Sequence, residues 1–147
     1  MVDELEENDP GCFDDPENTF ADLYMKSGLY ITEIVKRLYR SECMKSAFPD
    51  GGERIRHILR NQVYGMAPTR IIYLIATNYI LGFDESLKNE TKNFVQCDAA
   101  EASKNGNLKE LVMSISADSL CLEYCDQHKT CTIQKKNSKM YMREYGI

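Results

Sequence analysis

Thr19-Phe20-Ala21-Asp22, then Leu23-Tyr24-Met25-Lys26-Ser27-Gly28, then Leu29-Tyr30-Ile31, is the stretch whose reading decides the fold. A short, partly apolar run ending in an acid predicts a buried strand, and Ser27-Gly28 predicts a turn. From Leu29 the period changes. Ile31, Ile34, Val35 and Leu38 recur at i, i+3, i+4 and i+7, while Thr32, Glu33, Lys36, Arg37 and Arg40 take the opposite face, which predicts an amphipathic helix. A strand ending in Asp, a Ser-Gly turn and a helix N-terminus form the usual α/β site for a nucleotide-like cofactor. Backbone N–H groups converge there, the helix dipole favours an anion such as a carboxylate, and glycine lets the backbone approach closely. A plain strand-to-helix turn uses the same residues.

Working outward, the first helix is predicted to end before Phe48-Pro49-Asp50-Gly51-Gly52. A second, short helix carries Ile55, Ile58 and Leu59 on one face. Gln62-Val63-Tyr64-Gly65-Met66-Ala67 reads as a strand, Pro68 stops it, and Thr69 can cap a third helix. That helix, residues 70–81, is the most apolar of the chain. Ile71, Ile72, Leu74, Ile75, Ala76, Tyr79 and Ile80 cover most of its surface, which predicts packing on two sides. Asn93-Phe94-Val95-Gln96-Cys97-Asp98 alternates like a third strand, and residues 108–115 predict a further helix. Alternating strands and helices are the grammar of a doubly wound parallel sheet. Three strands are fewer than such sheets normally have, so further strands are expected in an absent remainder or a partner chain. The expected organisation is an acidic lead-in at residues 1–18 (loop or disordered, with two Asp-Pro steps), an α/β domain at 19–117, and a polar tail at 118–147 of unassigned structure.

Composition sets bounds. The chain has 147 residues, 43% of them hydrophobic and 28% charged, which suits one globular domain. Its net charge of −5 argues against a free-standing DNA-binding module, because duplex binding relies on Lys and Arg displacing counterions. The basic clusters, Lys36, Arg37 and Arg40, then Lys135, Lys136, Lys139 and Arg143, are modest. No apolar run approaches the roughly 18 residues of a membrane span, and the acidic start is unlike a signal peptide, so a soluble cytoplasmic protein without membrane contact is expected. The six cysteines then read as free thiols. Cys121, Cys125, His128 and Cys131 match no standard zinc spacing, and no metal is assigned. Tyr39, Tyr64, Tyr73 and Tyr79 read as core residues with hydroxyls at the rim rather than as base-stacking platforms.

Two other strand tips carry chemistry. In cofactor-binding doubly wound folds an acid at the end of the second strand often holds ribose hydroxyls; here Met66-Ala67 stands there. Asp98, ending the third strand, has the right chemistry to accept a hydrogen bond from an adenine amino group, with the Ala99 N–H near a ring nitrogen. Asp in that position is also a turn former or helix cap.

Taken in order, these segments resemble the N6-adenine DNA methyltransferases of restriction–modification systems, in particular a branch whose cofactor loop reads Lys-Ser-Gly. Asp22 to Ile31 is similar to that family's first motif. Asn61 to Gly82, with its Asn-Gln-Val-Tyr-Gly opening and Ala-Thr-Asn close, is similar to the second strand and helix, and Asn93 to Glu101 to the third motif. The similarity covers residues 19–112. It implies a partial Rossmann-like, S-adenosyl-L-methionine-dependent methyltransferase fold. The cofactor would lie at Asp22, Lys26, Ser27, Gly28, Tyr30 and Met66, with Asp98 and Ala99 near its adenine. Three departures accompany it. Leu23 replaces the usual proline, the ribose acid is missing at Met66-Ala67, and no Asn-Pro or Pro-Pro step occurs, so the family's catalytic Asn-Pro-Pro-Tyr tetrapeptide is absent. In that family the tetrapeptide holds the flipped adenine by hydrogen bonds and stacking. The resemblance therefore implies the cofactor-binding portion of a DNA adenine methyltransferase, not catalytic alone, reaching DNA only through a missing remainder or partner subunit. The alternative expectation is a non-catalytic interaction protein with a degenerate methyltransferase fold, pairing as a homo-oligomer or with a methylase or restriction subunit.

Overall fold

The structure is a computed structural model that describes residues 2–111 and the backbone of residues 140–143. Its centre is a parallel sheet of β1 (Thr19–Asp22), β2 (Val63–Ala67), β3 (Phe94–Gln96) and β4 (Met140–Arg143), in the spatial order β3-β2-β1-β4. The helices are α1 (Val2–Asn8), α2 (Leu29–Arg40), α3 (Glu42–Ala47), α4 (Gly51–His57), α5 (Arg70–Ile80) and α6 (Ala99–Lys104), with a π-helical turn at Ile58–Gln62 and a 3₁₀ turn at Glu85–Leu87. The α/β class and the three expected strands are present. The fourth strand falls in the tail left unassigned from sequence. It pairs along β1, so that positions 19–22 stand opposite 140–143. A four-residue strand in a polar, lysine-rich tail has no run long enough to show a period of two. It is defined by the open edge of β1, not by its own composition.

Both crossover helices lie on one face of the sheet, α2 over β1 and β2 and α5 over β2 and β3. Their apolar stripes explain why. Ile31, Ile34 and Leu38 of α2 are fully buried with Phe20 and Val63 from the strands, and Ala76 and Ile80 of α5 join the same core. The other face carries a smaller cluster of Ala21, Leu23, Tyr64, Met66 and Ala99, flanked by Val95, Cys97, Leu108 and Leu111. Alternation along β2 sends Val63 and Ala67 to the first face and Tyr64 and Met66 to the second.

Element boundaries follow their local chemistry. Ser41 ends α2 and caps α3, its hydroxyl accepting from the Met44 N–H, so the helix predicted to run on toward residue 48 is two helices with a break. Asp50 caps α4 and Thr69 caps α5, accepting from the N–H of Glu53 and Ile72. Arg54 is buried against the Tyr39 ring and donates to the carbonyls of Tyr39, Phe48 and Pro49, which fastens α4 to the end of α2 and the loop between.

Residues 9–18 of the acidic lead-in are turns and bends, but its first part is not the loop that composition predicts. Residues 2–8 form α1, held because Arg37 of α2 pairs with Asp3 and with Glu6 at 2.9 Å. Cys12 and Phe13 are buried, and Phe13 stacks on Phe20 with ring centroids 5.1 Å apart. Arg37, distant in sequence, pairs with two of the acids, which a composition argument about self-repulsion cannot see. The helix expected at 108–115 extends past the described residues; within them the Leu111 N–H donates to the Asn107 carbonyl at 3.0 Å. Tyr64 is buried as expected. Tyr39 and Tyr79 are more open than core residues, because α2 and α5 turn those positions outward.

Candidate functional site

In a parallel sheet all strands end on the same side, so the carboxyl ends of β1, β2 and β3 stand next to one another. Asp22 closes β1 opposite Gly65 of β2 and position 143 of β4. With strands about 4.8 Å apart, the axes of β1 and β3 lie roughly 10 Å apart with β2 between them. The chain order turns at β1: β2 and β3 lie to one side and β4 to the other. In open α/β sheets ligands occupy the crevice outside such a reversal point, at the carboxyl ends of the strands.

Asp22 is 2% exposed, and its Oδ1 accepts the Tyr24 N–H at 3.1 Å, which folds the chain sharply off the strand. The next residue but two, Met25, donates its N–H to the Met66 carbonyl at 2.7 Å, and its fully buried side chain lies over the backbone of Gly65. The loop thus leans from the tip of β1 across the tip of β2. Lys26 and Ser27 are its exposed summit. Gly28 then enters α2 as the N-cap with φ 83°, a left-handed conformation natural to glycine, and no side chain caps the helix. The positive end of the α2 dipole therefore lies beside Ser27, which suits an anionic group there.

Gly28 does not face the crevice. A Cβ there would sit 2.9 Å from the Ala76 carbonyl and 3.1 Å from Ile80 Cγ1, so the missing side chain lets α2 and α5 touch. The expected close approach is real, but its partner is a helix. Tyr30 is likewise buried in the main core beneath α2.

Met66 is buried on the opposite face with Ala21, Leu23, Tyr64 and Ala99. Its carbonyl serves the loop, and its side chain offers nothing polar to a ribose. Ala67 is fully buried as well. The tip of β2 thus carries no acid. Asp98 is exposed and caps α6, its Oδ1 accepting from the N–H of Ala100 at 2.9 Å and Glu101 at 3.4 Å. The cap role read from sequence as one of two options is the one the geometry contains; an adenine contact would have to share that carboxylate. Ala99 is buried beside Met66. Burial, and then the neighbouring Asp98 carboxylate, push the Cys97 thiol above its usual range, so it stays protonated and a poor nucleophile.

The structure thus brings Asp22, Lys26 and Ser27 together at the tip of β1, with Met66 at the tip of β2 and Asp98 and Ala99 just past β3, where Ala99 packs in one cluster with Met66. Gly28 and Tyr30 turn away into helix packing. Sequence reasoning missed Met25 and the reason for Gly65. A glycine inside a strand was the available signal, since it marks a place where something approaches the backbone closely. Position 143, opposite Asp22, carried no signal.

Among the described residues no group of three or more His, Cys, Asp or Glu could hold a metal ion, and the Cys121, Cys125, His128 and Cys131 set lies outside them. Cys12, Cys43 and Cys97 are free thiols. No described helix is long and apolar enough to cross a membrane. No protein-family model, curated protein or solved structure matches the chain.

Proposed function

We propose that this chain is the S-adenosylmethionine-binding portion of a DNA adenine-N6 methyltransferase, without catalytic capacity of its own. The observation that carries the reading is the position of Asp22. It ends the strand at which the sheet order reverses, next to an exposed Lys-Ser turn and the glycine-capped N-terminus of α2. That is where an α/β sheet receives a nucleotide-like ligand.

The residues present fit the two ends of the cofactor better than its middle. Ser27 and the positive end of the α2 dipole suit the methionine carboxylate, and the exposed Asp98 suits the adenine amino group. The ribose finds no acid at Met66-Ala67. Bound there, the cofactor would supply an electrophilic methyl group. This chain's residues would bind and orient it, while the groups that grip a flipped adenine belong to a tetrapeptide the sequence lacks. With a net charge of −5, contact with DNA falls to a further segment or a partner subunit.

Titration calorimetry of the chain with S-adenosylmethionine tests this. Binding in the micromolar range is expected, and absence of heat up to millimolar ligand overturns the proposal. Asp98→Ser keeps a cap oxygen for α6 while removing the carboxylate, so it should weaken binding without altering the unfolding midpoint. The second reading, a non-catalytic interaction protein, draws on the exposed apolar face of α5.

A further inference from the structure

The charge that argues against DNA contact is not spread over the chain. Eight of the 23 acids and none of the 18 bases lie in residues 1–18. The rest of the chain holds the other 15 acids against 18 bases, a net charge of +3. A weakly basic body thus stands behind a strongly acidic lead-in.

Part of that lead-in is seated on a basic stripe. Lys36, Arg37 and Arg40 are spaced by one turn or less on the outward face of α2, whose one acid is Glu33. The Arg37 guanidinium serves three carboxylates: Asp3, Glu6 at 2.9 Å and Glu33 at 3.3 Å. Two of the three belong to α1. Lys36 and Arg40 are exposed and carry no ion pair among the described residues. The attachment is light. Asp3 and Glu6 keep 75% and 56% of their side-chain surface in water, and α1 lends the core Val2 and the partly buried Leu5. Exposed ion pairs of this kind are weak and screened by salt.

We infer that α1 is an acidic latch closed over a DNA-contacting face of α2. The phosphodiester backbone of a duplex displaces the latch and takes Lys36, Arg37 and Arg40 as adjacent phosphate contacts. Charge complementarity selects this occupant. The stripe already accepts an acidic segment, and the three guanidinium nitrogens that donate to carboxylates, Nε, Nη1 and Nη2 of Arg37, present the same fork to phosphate oxygens. Three cations do not hold a duplex alone, so the face adds to the grip of a further segment or partner subunit. The inference rests on the DNA half of the proposed function and not on cofactor binding.

Fluorescence anisotropy of the full chain with a labelled duplex at low salt, without cofactor, tests this. Asp3→Asn with Glu6→Gln, both at exposed positions, opens the latch and should tighten binding about tenfold. Glu101→Gln with Glu110→Gln changes net charge equally beside the second cluster and should gain less than about twofold. In the opened variant, Lys36→Ala with Arg40→Ala should erase the gain and lower the salt-dependence slope by about two. Circular dichroism confirms that each variant keeps its fold. Absence of binding by the opened variant overturns the inference, as do equal gains in the two charge-matched pairs. So does a gain that survives loss of Lys36 and Arg40. Poly-glutamate binding the opened variant as tightly as the duplex would assign the face to an acidic protein and overturn the DNA contact. None of these outcomes touches the calorimetric test of the cofactor.

Discussion

At Gly65 a hydrogen atom stands where any other residue would place a carbon. A Cβ there would collide with Met25 Sδ, and Met25 has nowhere to go because it is fully buried. Gly65→Ala should therefore cost about 1–3 kcal/mol in urea unfolding, the usual range for overpacking a core. Combining it with Met25→Ala should recover part of that loss, because the two positions share one space. Additive costs in the double variant would show that the clash is not what matters at Gly65. Gly28 differs in kind. Its obstacle is the Ala76 backbone and its own positive φ, neither of which a rotamer change relieves. Side-chain direction at both glycines was beyond sequence reading. The first was read only as part of a strand, and the second was read as open to a ligand.

At the scale of elements, the π-helical turn Ile58–Gln62 is the least regular piece and the most dependent on a partner. Widening the helix frees carbonyls from their usual bonds. Asn93, 1% exposed at the entry to β3, donates through Nδ2 to the carbonyls of Leu59 and Arg60 at 3.0 and 2.8 Å. Asn93→Leu keeps the volume but leaves both carbonyls buried without that donor, so a loss of about 1–3 kcal/mol is expected. A change within about 0.5 kcal/mol of zero, measured by urea unfolding, would mean that water or a shift of the turn replaces the amide. The second short helix with Ile55, Ile58 and Leu59 on one face was legible as a helix, because periodicity survives a modest change of pitch. Its change from α to π was not, since the cause is an asparagine more than 30 residues away.

For the whole molecule, the same region supplies a link between distant segments that depends on charge. Glu90, 7% exposed, accepts from Arg60 Nε and Nη2, both at 2.6 Å, and Arg56 lies nearby. Those hydrogen bonds, outweighing burial, hold its carboxyl below the usual value. The resulting stability is complete above the unfolded value of about 4.5 and is lost as pH falls through the lower folded value. Glu90→Gln should thus flatten the decline of the thermal midpoint below about pH 4.5. Equal slopes in the two proteins would assign that acid sensitivity elsewhere. Exposure of Arg60 keeps the effect modest.

The sequence by itself determined the α/β class, the places of β1, β2 and β3, the amphipathic helix after β1 and the capped apolar helix after β2. Those features are written in periods of 2 and 3.6 and in cap and breaker residues, all of them local. It also determined that the Asn-Pro-Pro-Tyr tetrapeptide is missing. Tertiary structure alone decided the rest: that β4 completes the sheet beside β1, that α1 is held by Arg37, that Gly28 serves helix packing, and that one face of α5 is left open. Each depends on which surfaces meet, and a meeting between residues tens of positions apart leaves no period in the chain to read.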